Sequence, residues 1–110
     1  MTLLNKAFEL AFREAEKARE EGEIPVGAVV FSDTEIISSA HNLREQKKSP
    51  TAHAEILAIE EASKKVFDWR RSDLSIAVTL EPCGMCAGAI MNSRLKNRSL
   101  IRTWNLLRKH

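Results

Sequence analysis

Apolar residues recur at helical spacing from the start of the chain. Leu3, Ala7, Leu10, Ala11, Ala15 and Ala18 fall on one face, and the intervening positions are largely Glu, Lys and Arg. This predicts an amphipathic helix over 3–20, ended by Glu21-Gly22. The period then changes. Val26-Gly27-Ala28-Val29-Val30-Phe31 is a continuous apolar run that reads as a central strand, with Pro25 at its edge. Ser32-Asp33 makes a turn, and Ile36-Ile37-Ser38-Ser39-Ala40 reads as the hairpin partner of the first strand. His41 to Ser49 is polar and reads as a loop. Ser49-Pro50-Thr51 is expected to open a second helix, with Ser49 as cap and Pro50 at the first helical position. That helix runs to about Lys65 and carries Ile56, Ile59 and Ala62 on one face. Residues 74–80 read as a third strand, broken by Glu81-Pro82, and a third helix is expected from Cys83 to about Ser93. The order helix, hairpin, helix, strand, helix predicts a three-layer α/β domain with helices covering a sheet. Beyond it, Leu100, Trp104 and Leu107 would line one face of a helix, while Ser99-Leu100-Ile101-Arg102 could enter a strand. The helix is the expectation.

Composition narrows the class. In 110 residues, 44% are hydrophobic and 29% charged, which fits one globular domain with a modest core. No apolar run is long enough for a membrane span, and the first residues lack the pattern of a secretion signal. The only two cysteines, Cys83 and Cys86, sit in one short motif. That argues against a disulfide scaffold and for a reducing, cytoplasmic setting. The net charge of +2 is unevenly spread. Arg94, Lys96, Arg98, Arg102, Arg108 and Lys109 make the stretch after residue 93 basic and free of acids, so the preceding part is net negative. A basic end on an acidic body can attract phosphate backbones.

The chemistry concentrates in two places. Cys83-Gly84-Met85-Cys86 places two thiols on one face of a helix start, where the dipole favours thiolates. Alone, this is equally a redox pair. His53 alone reads as a structural histidine. Together, His53-Ala54-Glu55 and Pro82-Cys83-Gly84-Met85-Cys86 match the His-x-Glu and Pro-Cys-x-x-Cys signature of zinc deaminases, a pattern already associated with that enzyme class. His53, Cys83 and Cys86 then supply three zinc ligands and leave a fourth position for water. Glu55 is a candidate general acid–base beside it. Helical rotation of about 100° per residue does not by itself aim Glu55 and His53 the same way. Its alternative role is a surface glutamate at a helix start. A closed structural site would need His41 as a fourth ligand.

Several blocks in order extend the match. They are Glu23-Ile24-Pro25-Val26-Gly27-Ala28-Val29, His41-Asn42, Pro50-Thr51-Ala52-His53-Ala54-Glu55, Val78-Thr79-Leu80-Glu81-Pro82-Cys83-Gly84-Met85-Cys86-Ala87-Gly88-Ala89-Ile90 and Asn92-Ser93-Arg94. From about Leu3 to Arg94 the chain resembles the bacterial tRNA-specific adenosine deaminases of the cytidine deaminase-like superfamily. The resemblance implies a three-layer α-β-α deaminase domain over 1–94, with 95–110 a divergent basic tail. It implies Zn(2+) on His53, Cys83 and Cys86, with Glu55 as proton shuttle. It also implies substrate contacts from Asn42, Val26 and the backbone of Ala54. The reaction implied is hydrolytic conversion of the wobble adenosine of a tRNA anticodon stem-loop to inosine, by a homodimer. Two other accounts compete with it: a free-base or nucleotide deaminase of the same superfamily, and a non-catalytic zinc-stabilised or RNA-binding chain. The latter follows from a departure after Arg94. There the family continues with a strand, a glycine-rich loop, another strand and a long helix, whereas this chain has no glycine after Gly88.

Overall fold

The computed structural model describes residues 2–43, 48, 52–65, 74–79 and 99–101. Its elements are helix α1 (Leu3–Glu20), strands β1 (Gly27–Phe31) and β2 (Ile36–His41), helix α2 (Ala54–Lys65), and strands β3 (Ser75–Val78) and β4 (Ser99–Ile101). The sheet order is β2-β1-β3-β4. β1 pairs antiparallel with both β2 and β3, while β3 and β4 are parallel.

Local chemistry sets the ends of α1. Thr2 Oγ1 accepts the Asn5 amide hydrogen at 3.1 Å and caps the start. At the other end the Glu23 amide donates to the Ala18 carbonyl (2.9 Å) and the Gly22 amide to that of Arg19 (3.2 Å). This is a Schellman closure, and Gly22 takes the left-handed φ of 80° that it requires.

The two helices lie on opposite faces of the sheet, because β1 and β3 alternate. Val29, Phe31 and Ala77 pack with Ala7, Phe8 and Ala11 of α1. Ala28, Val30, Ile76 and Val78 pack with Ala54, Ala58 and Ala62 of α2. Every residue of β1 is buried, as a strand covered on both sides demands. The α1 contact is made by a stripe of fully buried alanines at 7, 11, 15 and 18. Alanine brings the helix backbone close to the sheet, and Gly27 marks the closest approach. A Cβ built there would stand 1.9 Å from the Ala11 carbonyl oxygen and 2.8 Å from the Ala15 nitrogen.

Two expectations change. The second helix begins at Ala54, since Ala52 and His53 are not helical; Ser49, Pro50 and Thr51 lie outside the described residues. Ser99–Ile101 forms a strand rather than part of a helix, in register Ile76↔Ser99 to Val78↔Ile101. A run of Ser-Leu-Ile beside the apolar edge of β3 gains ladder hydrogen bonds that local periodicity cannot reveal. The third helix expected from Cys83 lies outside the described residues.

Candidate functional site

The end of the sheet where β2 finishes and β1 begins gathers the described candidate residues. The register pairs Gly27 with His41. Thr79, directly after β3, closes the third side: its amide donates to the Gly27 carbonyl at 3.1 Å, and its Oγ1 accepts the Gly27 amide at 3.0 Å. In sequence, Leu80, Glu81 and Pro82 then lead to Cys83.

Asn42 ties this end to α2. Its amide donates to the Val26 carbonyl at 3.2 Å, and its Oδ1 accepts the Ala54 amide hydrogen at 2.8 Å. The first amides of a helix have no partner within it. Ala54 is fully buried, so this one needs an acceptor, and Asn42 supplies it from twelve residues upstream. The bond fixes the side-chain orientation: the oxygen faces Ala54 and the NH2 group is left to face other partners. It also commits the one amide hydrogen of Ala54. The neighbouring strand end is pinned by a bond from the Leu43 amide to the Ala52 carbonyl at 2.9 Å.

His53 and Glu55 flank Ala54. The His53 carbonyl accepts from the Leu57 amide at 3.0 Å, so His53 stands immediately before the first turn. Its side chain is half-buried. Glu55 is only 4% exposed, which removes the surface-glutamate reading. Val26 is buried and belongs to the α2-side core.

His41 is engaged elsewhere. Nδ1 lies 2.6 Å from Glu14 Oε1 and Nε2 lies 2.9 Å from Glu21 Oε1. Carboxylates only accept, so both ring nitrogens donate and neither keeps a lone pair for a metal. Burial works to lower the His41 pKa, but hydrogen bonds and charge from Glu14 and Glu21 outweigh it, and the pKa rises above its ordinary value. A closed zinc site using His41 is therefore not available in this arrangement.

Among the described residues no group of three His, Cys, Asp or Glu side chains is placed to hold a metal. Cys83 and Cys86 lie outside those residues. The donor set fits zinc on its chemistry, since one imidazole and two thiolates are ligands zinc favours. Of the two described histidines, His41 is excluded from that role by its two carboxylate partners.

A model of the cytidine and deoxycytidylate deaminase zinc-binding region matches residues 1–101. The chain belongs to that deaminase family. Among individual relatives, the tRNA-specific adenosine deaminase of Bacillus subtilis is 52% identical over 86 residues, covering 78% of this chain and 53% of that protein. The Aquifex aeolicus tRNA-specific adenosine deaminase is 49% identical over 87 residues, covering 79% and 58% respectively. The chain thus spans a little over half the length of these curated relatives. A solved structure from a study of A-to-I editing by tRNA:A34 deaminases superposes with a TM-score of 0.78 at 40% identity, covering 83% of this chain and 66% of that one. The guanine deaminase of Bacillus subtilis gives 0.84 at 32% identity, covering 94% and 65%.

Three residues that hold this end of the sheet are not distinguished by sequence alone: Glu14 falls in the charged helix, Glu21 at the stop that follows it, and Thr79 in a strand. Glu14 carried a signal, because it sits beside Ala11, Ala15 and Ala18 on the buried face. An acid there needs a partner.

Proposed function

We propose that this chain is a zinc-dependent deaminase that converts adenosine to inosine at the wobble position of a tRNA anticodon stem-loop. The chief support is the 52% identity to the Bacillus subtilis tRNA-specific adenosine deaminase. His53, Cys83 and Cys86 would hold the metal. When bound, zinc acidifies a water molecule and so makes a nucleophile available at neutral pH.

The chain's own residues do the rest. Asn42, its oxygen committed to Ala54, offers NH2 hydrogens to an acceptor on the base. Val26 contributes an apolar wall. Glu55, buried at 4% exposure, is shielded from bulk water and can pass a proton to the ring nitrogen and then to the departing amine. Water adds at C6, the C6–N6 bond breaks, and ammonia leaves. An anticodon loop presents its base unpaired, which lowers the cost of extruding it. The basic residues from Arg94 to Lys109 supply phosphate contacts, and the chain works as a cytoplasmic homodimer.

A second reading, deamination of a free purine base, is favoured by the TM-score of 0.84 to guanine deaminase. Zinc-loaded protein incubated with an adenosine-containing anticodon stem-loop, and separately with free guanine, discriminates the two. Inosine in the RNA is the expected product; xanthine alone establishes the second reading. Glu55→Ala should keep its zinc and lose at least a hundredfold in rate. Equal inosine formation by that variant removes Glu55 from the mechanism. Zinc binding without conversion of either substrate leaves a non-catalytic, zinc-stabilised chain.

A further inference from the structure

We propose that His41 is a positioning residue: clamped between Glu14 of α1 and Glu21 at the helix's C-terminal cap, it fixes the end of β2 and thereby holds Asn42 against the first amide of α2.

β2 is the outer strand of the described sheet, so the ladder holds it from one side only. Its last residue needs another restraint. The His41 ring bridges two carboxylates seven residues apart, two turns along one face of α1. Glu14 grips the same strand twice. Its Oε1 accepts from His41, and its Oε2 accepts from the Ser39 hydroxyl at 3.4 Å. Ser39 and His41 share a strand face. Lys17 Nζ, 3.3 Å from Glu14 Oε2, completes the α1 side of the cluster. From α2, Glu60, Glu61, Lys64 and Lys65 line the same cavity of about 400 Å³ as His41. Those four charges sum to zero, and the carboxylates in contact with the ring are Glu14 and Glu21.

The helix supplies a second argument. Glu21 is the C-terminal cap residue of α1, at the negative end of the helix dipole, where a carboxylate is unfavourable. A donating, cationic His41 converts that position from a cost into an anchor. The consequence is carried one residue along the chain. Asn42 bonds Val26 through its backbone and Ala54 through its side chain. Ala54 in turn lies between His53 and Glu55. Releasing His41 therefore loosens Asn42 before anything else in the site.

Part of the test rests on the proposed function and part does not. Amide hydrogen exchange of Ala54, read by NMR, reports the Asn42 bond without any substrate. Asn42→Ala and His41→Phe should each lower Ala54 protection about tenfold, and the double variant should fall no further. The Ala62 amide, deeper in α2, should be unchanged. Glu21→Ala cuts one end of the clamp from a more exposed side chain, and should lower Ala54 protection even if His41→Phe fails to fold. With an anticodon stem-loop as substrate, His41→Phe and Glu21→Ala should raise KM severalfold with kcat within about threefold, and Glu21→Ala should add nothing in an Asn42→Ala background. Ala54 protection retained in Glu21→Ala, or losses that multiply in the double variant, overturn the proposal. Loss of protection in the absence of any turnover by the unaltered chain keeps the clamp and removes the deaminase reading. Normal turnover with retained protection does the reverse.

Discussion

Gly27→Ala is the severest small change the fold predicts. The added Cβ would lie 1.9 Å from the carbonyl oxygen of Ala11. Carbon and carbonyl oxygen come no closer than about 3.3 Å even in favourable contacts. One backbone must therefore retreat by roughly 1.4 Å. Retreat breaks the alanine contacts of α1, because a gap of about 0.5–1 Å already forfeits a quarter to a half of each dispersion contact. Overpacking usually costs about 1–3 kcal/mol. Here the obstacle is backbone rather than a movable side chain, so we expect a loss of at least about 3 kcal/mol. That is a large share of the ~5–15 kcal/mol typical of a small domain. Urea unfolding followed by far-ultraviolet circular dichroism measures it as a lower midpoint at constant slope. Ala11→Gly in the same chain should not rescue it, since the clash is with the oxygen and not the methyl group. A Gly27→Ala loss below about 1 kcal/mol, or rescue by Ala11→Gly, refutes the close-approach argument.

The other predictions are milder. Gly22→Ala meets no atom within 4 Å but must adopt a φ of 80°, so it should cost about 1 kcal/mol, read as a melting point lower by about 4–8 °C. His41 has a raised pKa in the fold. Its stabilising contribution is therefore complete below the unfolded value of about 6.5 and is lost as pH rises through the folded value. The melting-point gap between the unaltered chain and His41→Gln should narrow from pH 6 to pH 9; a gap that widens contradicts the assignment. Zinc should bind at one ion per chain, be lost in His53→Ala, and persist in His41→Gln, as measured by elemental analysis. Retention of full zinc by His53→Ala excludes it as a ligand.

What the sequence disclosed depended on range. The α1 periodicity, the β1–β2 hairpin and the two-sided burial of β1 are local patterns, and each was legible from composition and spacing. The start of α2 was not, because the oxygen that accepts the Ala54 amide comes from Asn42, twelve residues upstream. Strand β4 was legible only as the alternative to a helix, for the same reason: three residues pair with the edge of β3. Within the candidate site, His53 and Glu55 announced themselves through the motif. The burial of Glu55 did not, since the motif gives no view of what covers it. Glu14, Glu21 and Thr79 act only through partners that folding brings together.

The same long-range contacts explain why scaffold and site share one fate here. Gly27 touches the backbone of α1, pairs with His41, and exchanges two hydrogen bonds with Thr79. It is thus the meeting point of the helix that carries Glu14, the strand that leads into Asn42, and the chain that proceeds toward Cys83. Moving α1 away from Gly27 would draw Glu14 and Glu21 off His41 before it unfolded the sheet. A mild perturbation of the alanine stripe should therefore weaken the Ala54 bond at a stability loss that leaves the protein folded. Ala15→Val, which enlarges a fully buried position facing the Gly27 approach, is the variant in which both effects should appear together. Loss of Ala54 protection should exceed the loss at Ala62. An equal loss at the two amides would mean that α2 opens as a whole and that the α1 contact has no privileged route to its first turn.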